Sequence, residues 1–194
     1  IHHGAAIVLM FAVIYHLGAA GYKYYVKRNQ IKMLPNLRDV TNAWGWIVFN
    51  LGKRDNPPQE DRFTFGEKFE YWAFVWGTMI MGLTGFALWN PIATSNRLPG
   101  EVIPAAKIAH SLEAVLAVLA IIIWHFYNVH FKMLNKSMFN GKMSEEEMLH
   151  EHPLELADIK AGVAEPPPDP EGEKKRLMIF LPVYFVVASV MLLG

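Results

Sequence analysis

The sequence predicts an all-α integral membrane bundle with four visible transmembrane helices, and two observations carry that prediction. Of the 194 residues, 53% are hydrophobic and 13% aromatic, too apolar for an ordinary soluble domain yet interrupted by charge too often for one buried bundle. Four stretches also meet or approach the roughly 20 mainly apolar residues that a helix needs to cross a bilayer. Eighteen basic residues balance eighteen acidic ones, so charge selects neither an acidic partner nor a nucleic acid. The partner composition does select is membrane lipid.

The first stretch, IHHGAAIVLMFAVIYHLGAAGY (Ile1 to Tyr22), has no basic region before it and carries histidines, so it reads as a spanning helix and not as a signal peptide. Opening on Ile inside one apolar run and closing on Gly inside another, the sequence reads as a fragment, with at least one helix expected upstream and more chain downstream. The connection from Lys23 to Lys68 holds nine of the eighteen basic residues. Within it, LRDVTNAWGWIVFNLG (Leu37 to Gly52) fits an amphipathic interfacial helix, and the adjacent prolines of LGKRDNPPQEDRF end it. The second span is YWAFVWGTMIMGLTGFALW (Tyr71 to Trp89), followed by a loop from Asn90 to Ala106 that holds Arg97, with Lys107 at its edge.

The third span lies within IAHSLEAVLAVLAIIIWHFYNVH (Ile108 to His130). After it, seven further basic residues fall between Lys132 and Arg176. Ser144 followed by Glu147 is a capping-box signature for a short soluble helix, and His150 and His152 in the soluble tail read as surface histidines, with a metal site as the alternative. AEPPPDPEGEKKR is a charged, Pro-rich linker into the last span, LMIFLPVYFVVASVMLLG (Leu177 to Gly194). The organisation expected is thus a membrane core over residues 1–131, a soluble tail and linker over 132–176 and a further span over 177–194. In the core, helices run over about 1–22, 71–89 and 106–129, with a cytoplasmic or interfacial connection over 23–68. The positive-inside rule places both basic regions on the cytoplasmic side, so the first and third spans run parallel.

Histidine spacing carries the chemistry. His110 and His125 are fifteen residues apart, about 60° of rotation and roughly 22 Å of rise on an ideal helix. Ala114 and Ala117 line the face between them. His2 and His16 are fourteen apart, about 40° off register and roughly 21 Å of rise. In parallel helices His2 therefore falls level with His110 near the outer surface, and His16 with His125 near the inner one. Facing imidazoles at two depths suit axial ligation of two haem irons. With no cysteine in the chain, the haem is not covalently attached, and disulfides and thiolate-bound clusters are excluded. His3 lies about 100° from His2 and is its only local substitute. Glu113, one turn from His110, either orients a ligand or a haem edge or is wetted near the outer surface. A proton relay or metal transporter would need converging carboxylates, and Glu113 is the one available mid-span. The competing class is a non-redox membrane anchor whose histidines only pack or hydrogen-bond.

The segments IHHGAAIVL, DRFTFGEKFEYWAFVWGTMIMGLTGFALW, with its Phe-x-x-Gly-x-Lys start and Thr-Gly end, and AHSLEAVLAVLAIIIWHFYNVH resemble the membrane di-haem cytochrome b subunits of respiratory formate dehydrogenases, nickel–iron hydrogenases and thiosulfate reductases. The resemblance runs from Ile1 to about Val129. It implies part of a cytochrome b of five or more helices in a bacterial or archaeal cytoplasmic membrane. Such a subunit carries electrons in a quinone-linked oxidoreductase complex, beside an iron–sulfur or multihaem c-type cytochrome subunit. The cofactors implied are two haem b, with menaquinone or ubiquinone as substrate. The outer ligands map onto His2 and His110, and one inner ligand onto His125. The family's fourth ligand sits on an earlier helix, so here it is either His16 or a residue outside the chain, and the register favours His16. Quinone chemistry beside the inner haem maps onto Thr64, Glu67, Glu70, Asn128 and His130, although related enzymes tend to carry Asn where Thr64 stands. Solvated residues at a helix start are the plain alternative for the first three.

Overall fold

The computed structural model describes residues 1–132, 137–163 and 169–193; they form helices and connections, with no strand among them. In chain order the helices are α1 (His2–Val26), α2 (Leu37–Asn50), α3 (Phe65–Trp89), α4 (Pro91–Ser95), α5 (Val102–His125, continued by Tyr127–Lys132), α6 (Ser137–Asn140), α7 (Glu145–Glu151), α8 (Pro153–Lys160) and α9 (Pro170–Leu193). Four of them, α1, α3, α5 and α9, are long and apolar enough to cross a membrane, which is the predicted all-α class. Pro166, Pro167 and Pro168 of the Pro-rich linker lie outside the described residues, whereas Pro170 to Arg176 form the first turns of α9.

The chain divides into two compact units, Ile1–Lys32 with Asp158–Gly194, and Met33–Ala157. In the first, glycines let α9 approach α1 closely. A Cβ at Gly18 would stand 2.7 Å from the Tyr184 ring, and one at Gly21 would stand 2.5 Å from Phe180. Those two rings stack on each other with centroids 5.7 Å apart, and the Tyr184 hydroxyl donates to the Ile14 carbonyl at 3.2 Å. At the base of α9, Arg176 donates to the carbonyl of the fully buried Val26 at 2.8 Å. Lys27 meets Glu173 at 2.6 Å, and that bond holds the ammonium above its usual range. The last turn of α1 is wound in π form, and the helix stops where Arg28 adopts a left-handed φ of 57°.

In the second unit, α2 is inverted relative to a soluble surface helix. Its polar Asp39 and Asn42 are buried with Gly45, while Leu37, Val40, Trp44, Ile47 and Leu51 form an exposed apolar stripe at helical spacing. Asn36 and Asp39 make a capping box at its start. Its end is a Schellman turn, with Gly52 at φ 68° and Lys53 N–H on the Val48 carbonyl at 3.1 Å. The buried polar face is satisfied from downstream. Glu60, 3% exposed, accepts from Asn42 and Trp46 at 2.8 Å each and from the Phe65 N–H at 3.3 Å. Lys68, 4% exposed, lies 2.9 Å from Asp39. An exposed apolar stripe on an inward-anchored polar face is what an in-plane interfacial helix requires.

Helices α3 and α5 pack side by side, with the short α4 between them in sequence. Both α3 and α7 start with capping boxes, Thr64 with Glu67 and Ser144 with Glu147, the second of which the sequence predicts. The segment after α7 returns to the loop before α3. His152 Nδ1 lies 2.8 Å from the Asp61 carbonyl, and Arg62 lies 3.1 Å from Glu155. His152 is consequently buried, in contrast to the surface reading, whereas His150 is exposed. A backbone carbonyl within reach decides that difference, and local sequence carries no sign of it.

Candidate functional site

Helix α5 bears His110 and His125, and α3 supplies a Nδ1 partner to each. Thr84 Oγ1 lies 2.8 Å from His110 Nδ1 and 2.5 Å from the Ile80 carbonyl. A carbonyl only accepts, so the hydroxyl gives its one hydrogen to Ile80 and offers a lone pair to His110. With Nδ1 engaged by Thr84, Nε2 is the ring nitrogen that could serve as a ligand. Gly85, the next residue, leaves the ring room: a Cβ there would sit 3.4 Å from His110 Cε1. Fifteen residues on, His125 Nδ1 is bonded to the Glu70 carboxylate. With Nδ1 engaged by the carboxylate, Nε2 is the ring nitrogen left for a ligand role. Around it, Phe69 and Trp124 meet edge to face at 6.0 Å, and Gly66 lies under Trp124.

From Ala120 to His125 the winding of α5 changes to π form. Its i→i+5 bonds give wider turns, so His125 lags behind the phase that a uniform α-helix would give it. The π winding resumes from Tyr127 to Lys132. The side chains of Leu112, Val115, Leu119 and Ile122 along the same helix are exposed, as lipid-facing residues are.

The remaining candidates are placed as follows. His2 and His3 open α1 with ring centroids 6.0 Å apart at 52°. His16 projects about 160° from both Ile14 and Gly18, the residues that face α9. Thr64 and Glu67 are joined to each other: the hydroxyl accepts from Glu67 N–H at 3.2 Å, and the carboxylate accepts from Thr64 N–H at 2.8 Å. Asn128 donates to the Trp124 carbonyl at 2.8 Å, and the His130 ring lies 4.8 Å from Phe126. Glu113 packs against Gly77, filling the space where a Cβ would stand. Sequence reasoning missed Thr84 altogether and grouped Glu70 with the quinone residues. Their separation of fourteen, close to the fifteen between the histidines, was the available signal.

Fold and site together define a multi-pass helical membrane protein with two imidazoles on one span, each meeting a side chain of α3 through Nδ1. No family model matches the chain. It is, however, similar to the protein named "Formate dehydrogenase, nitrate-inducible, cytochrome b556(Fdn) subunit" from Escherichia coli (strain K12), at 20% identity over 131 residues. The proteins of that name from Escherichia coli O157:H7 and Shigella flexneri give the same figures. The matched region is 68% of this chain and 60% of the relative, so the chain spans about three fifths of the curated relatives it matches.

Proposed function

We propose that this chain is a membrane cytochrome b that binds two b haems and passes electrons between a quinone and a partner redox subunit. The observation that carries the reading is the pair on α5: His110 and His125 each have Nδ1 held by a residue of α3, so each presents Nε2 as a donor. That donor set fits haem iron, for which neutral imidazole is a common ligand. His2 and His16 complete the set, with His3 as the substitute for His2. Their pairing with His110 and His125 rests on the matching separations of fourteen and fifteen residues. Bound haem supplies one-electron chemistry at iron, and the chain supplies ligands, apolar surroundings and orientation. The similarity to a formate dehydrogenase cytochrome b subunit supports the same class.

Quinone chemistry is assigned to the region of Thr64, Glu67, Glu70, Asn128 and His130. Each already has a local contact: Thr64 and Glu67 hold a helix cap, Glu70 a histidine, Asn128 the Trp124 carbonyl and His130 the Phe126 ring. The partner is an iron–sulfur or multihaem c-type subunit, and the setting is a bacterial or archaeal cytoplasmic membrane. A reduced-minus-oxidised spectrum of the membrane-embedded protein tests the class; two b haems per chain are expected, and an absence of b bands refutes it. For the fourth ligand, His16→Ala should lower the count from two to one. Two haems with unchanged spectra would place that ligand outside this chain.

A further inference from the structure

Building on the cytochrome b reading, we propose that Glu70 and Thr84 are positioning residues that hold the two α5 imidazoles and grade the potentials of their haems, the His125 haem lying below the His110 haem. Both residues sit on α3, fourteen positions apart, and both reach the Nδ1 side of a candidate ligand on α5. One helix thus carries the ligands and its neighbour carries their supports, with the spacing of one matched to the other. The supports differ in chemistry, and that difference grades the pair.

At His125 the acceptor is a carboxylate. A hydrogen bond to an ionised acceptor is roughly twice as strong as one between neutral groups. It pulls the Nδ1 proton outward and leaves more electron density at Nε2, making the ring a stronger donor to iron. Stronger donation stabilises the ferric state over the ferrous and lowers the potential; hydrogen bonding behind an axial ligand is one of the protein's levers on haem. At His110 the acceptor is a neutral hydroxyl whose hydrogen is committed to the Ile80 carbonyl. It holds the ring direction while adding little negative charge. On this gradient electrons fall from the His125 end of α5 toward the His110 end.

The competing account treats Glu70 and His125, whose side chains are 34% and 48% exposed, as an ordinary surface pair of small energetic worth. The two accounts separate by redox titration of the membrane-embedded protein, followed at the b bands, with ferric electron paramagnetic resonance as a second signature. Glu70→Gln should leave two haems bound and shift the lower midpoint upward by a tenfold change in the reduction equilibrium, about 59 mV for one electron. The upper midpoint should stay in place. Thr84→Val should raise the upper midpoint by about threefold, about 30 mV, and broaden its ferric signal, with Thr84→Ser restoring both. A shift of the upper midpoint in Glu70→Gln, or no midpoint moving by twofold in either variant, overturns the proposal. If Glu70→Gln loses its haem, Glu70→Asp decides: a retained haem with the lower midpoint within twofold of wild type upholds the carboxylate's role, and haem loss there overturns it. Wild-type protein without b bands would instead remove the cytochrome reading, and this inference with it.

Discussion

Replacing Lys68 by Met should destabilise the second unit by stranding the buried Asp39 of α2. Lys68 Nζ stands 2.9 Å from Asp39 Oδ1, with side-chain exposures of 5% and 11%. At that distance and an effective dielectric of about 20, the gross attraction is about 6 kcal/mol, much of which offsets the desolvation of two ions. Removing the lysine alone strands a carboxylate that cannot return to water. Losing one partner of a buried pair costs about 3–5 kcal/mol. Asp39 keeps one acceptor role, toward Asn36 N–H at 2.7 Å, which places the expected loss near the lower figure, about 3 kcal/mol. The double variant Asp39→Asn/Lys68→Met removes both charges and leaves a carbonyl oxygen for the capping N–H, so it should lose only about half as much. Unfolding in detergent micelles, followed by far-ultraviolet circular dichroism, measures both. A single-variant loss below about 1 kcal/mol, or a double variant as weak as the single, would show that water reaches this pair and that the burial argument fails.

Three further outcomes follow from named contacts. Gly18→Ala should cost about 1–3 kcal/mol in thermal melts, because its Cβ displaces the Tyr184 ring, whereas Gly4→Ala, with nothing within 4 Å, should be neutral or slightly stabilising. Thr64→Ala should loosen the first turn of α3 by about 1 kcal/mol, seen as faster amide exchange at Glu67, and Thr64→Asp should restore slow exchange; unchanged exchange in Thr64→Ala would refute the cap's contribution. Asp169 is held below the usual carboxylate range by the Gly172 N–H and then by Arg176. With a depressed folded value, its contribution is complete above the unfolded-state pKa and fades as pH falls through the folded one. Amide exchange at Gly172 should therefore stay slow through the ordinary carboxylate range and quicken only below it, a response that Asp169→Asn should flatten.

What sequence conveys here follows from which interactions are periodic. The four spans are legible because apolar runs of bilayer length have few other uses, and the candidate ligands stand out because imidazoles there are expensive. Ser144 with Glu147 gave away its cap through a fixed offset. The same offset at Thr64 and Glu67 was equally visible but was absorbed into a chemical reading of those residues. The partners of the histidines were not legible. Thr84 and Glu70 reach His110 and His125 across a helix–helix contact whose rotation depends on packing, and no local pattern reports it. The π winding at Ala120 to His125 was equally hidden, since a 3.6-residue period was assumed throughout. Glu60 and Lys68 fall in the same category: their role is defined by a helix 18 and 29 positions earlier in the chain.

That last relation has a consequence for how the protein is made. The ribosome delivers Asp39 29 residues before the lysine that neutralises it, and Asn42 18 residues before the glutamate that accepts from it. At about 5–20 residues per second, α2 waits about 1.5 to 6 seconds with its inner face incomplete. During that interval its apolar stripe is complete while its polar face is not. The polar face of α2 is thus completed only once the start of α3 has emerged.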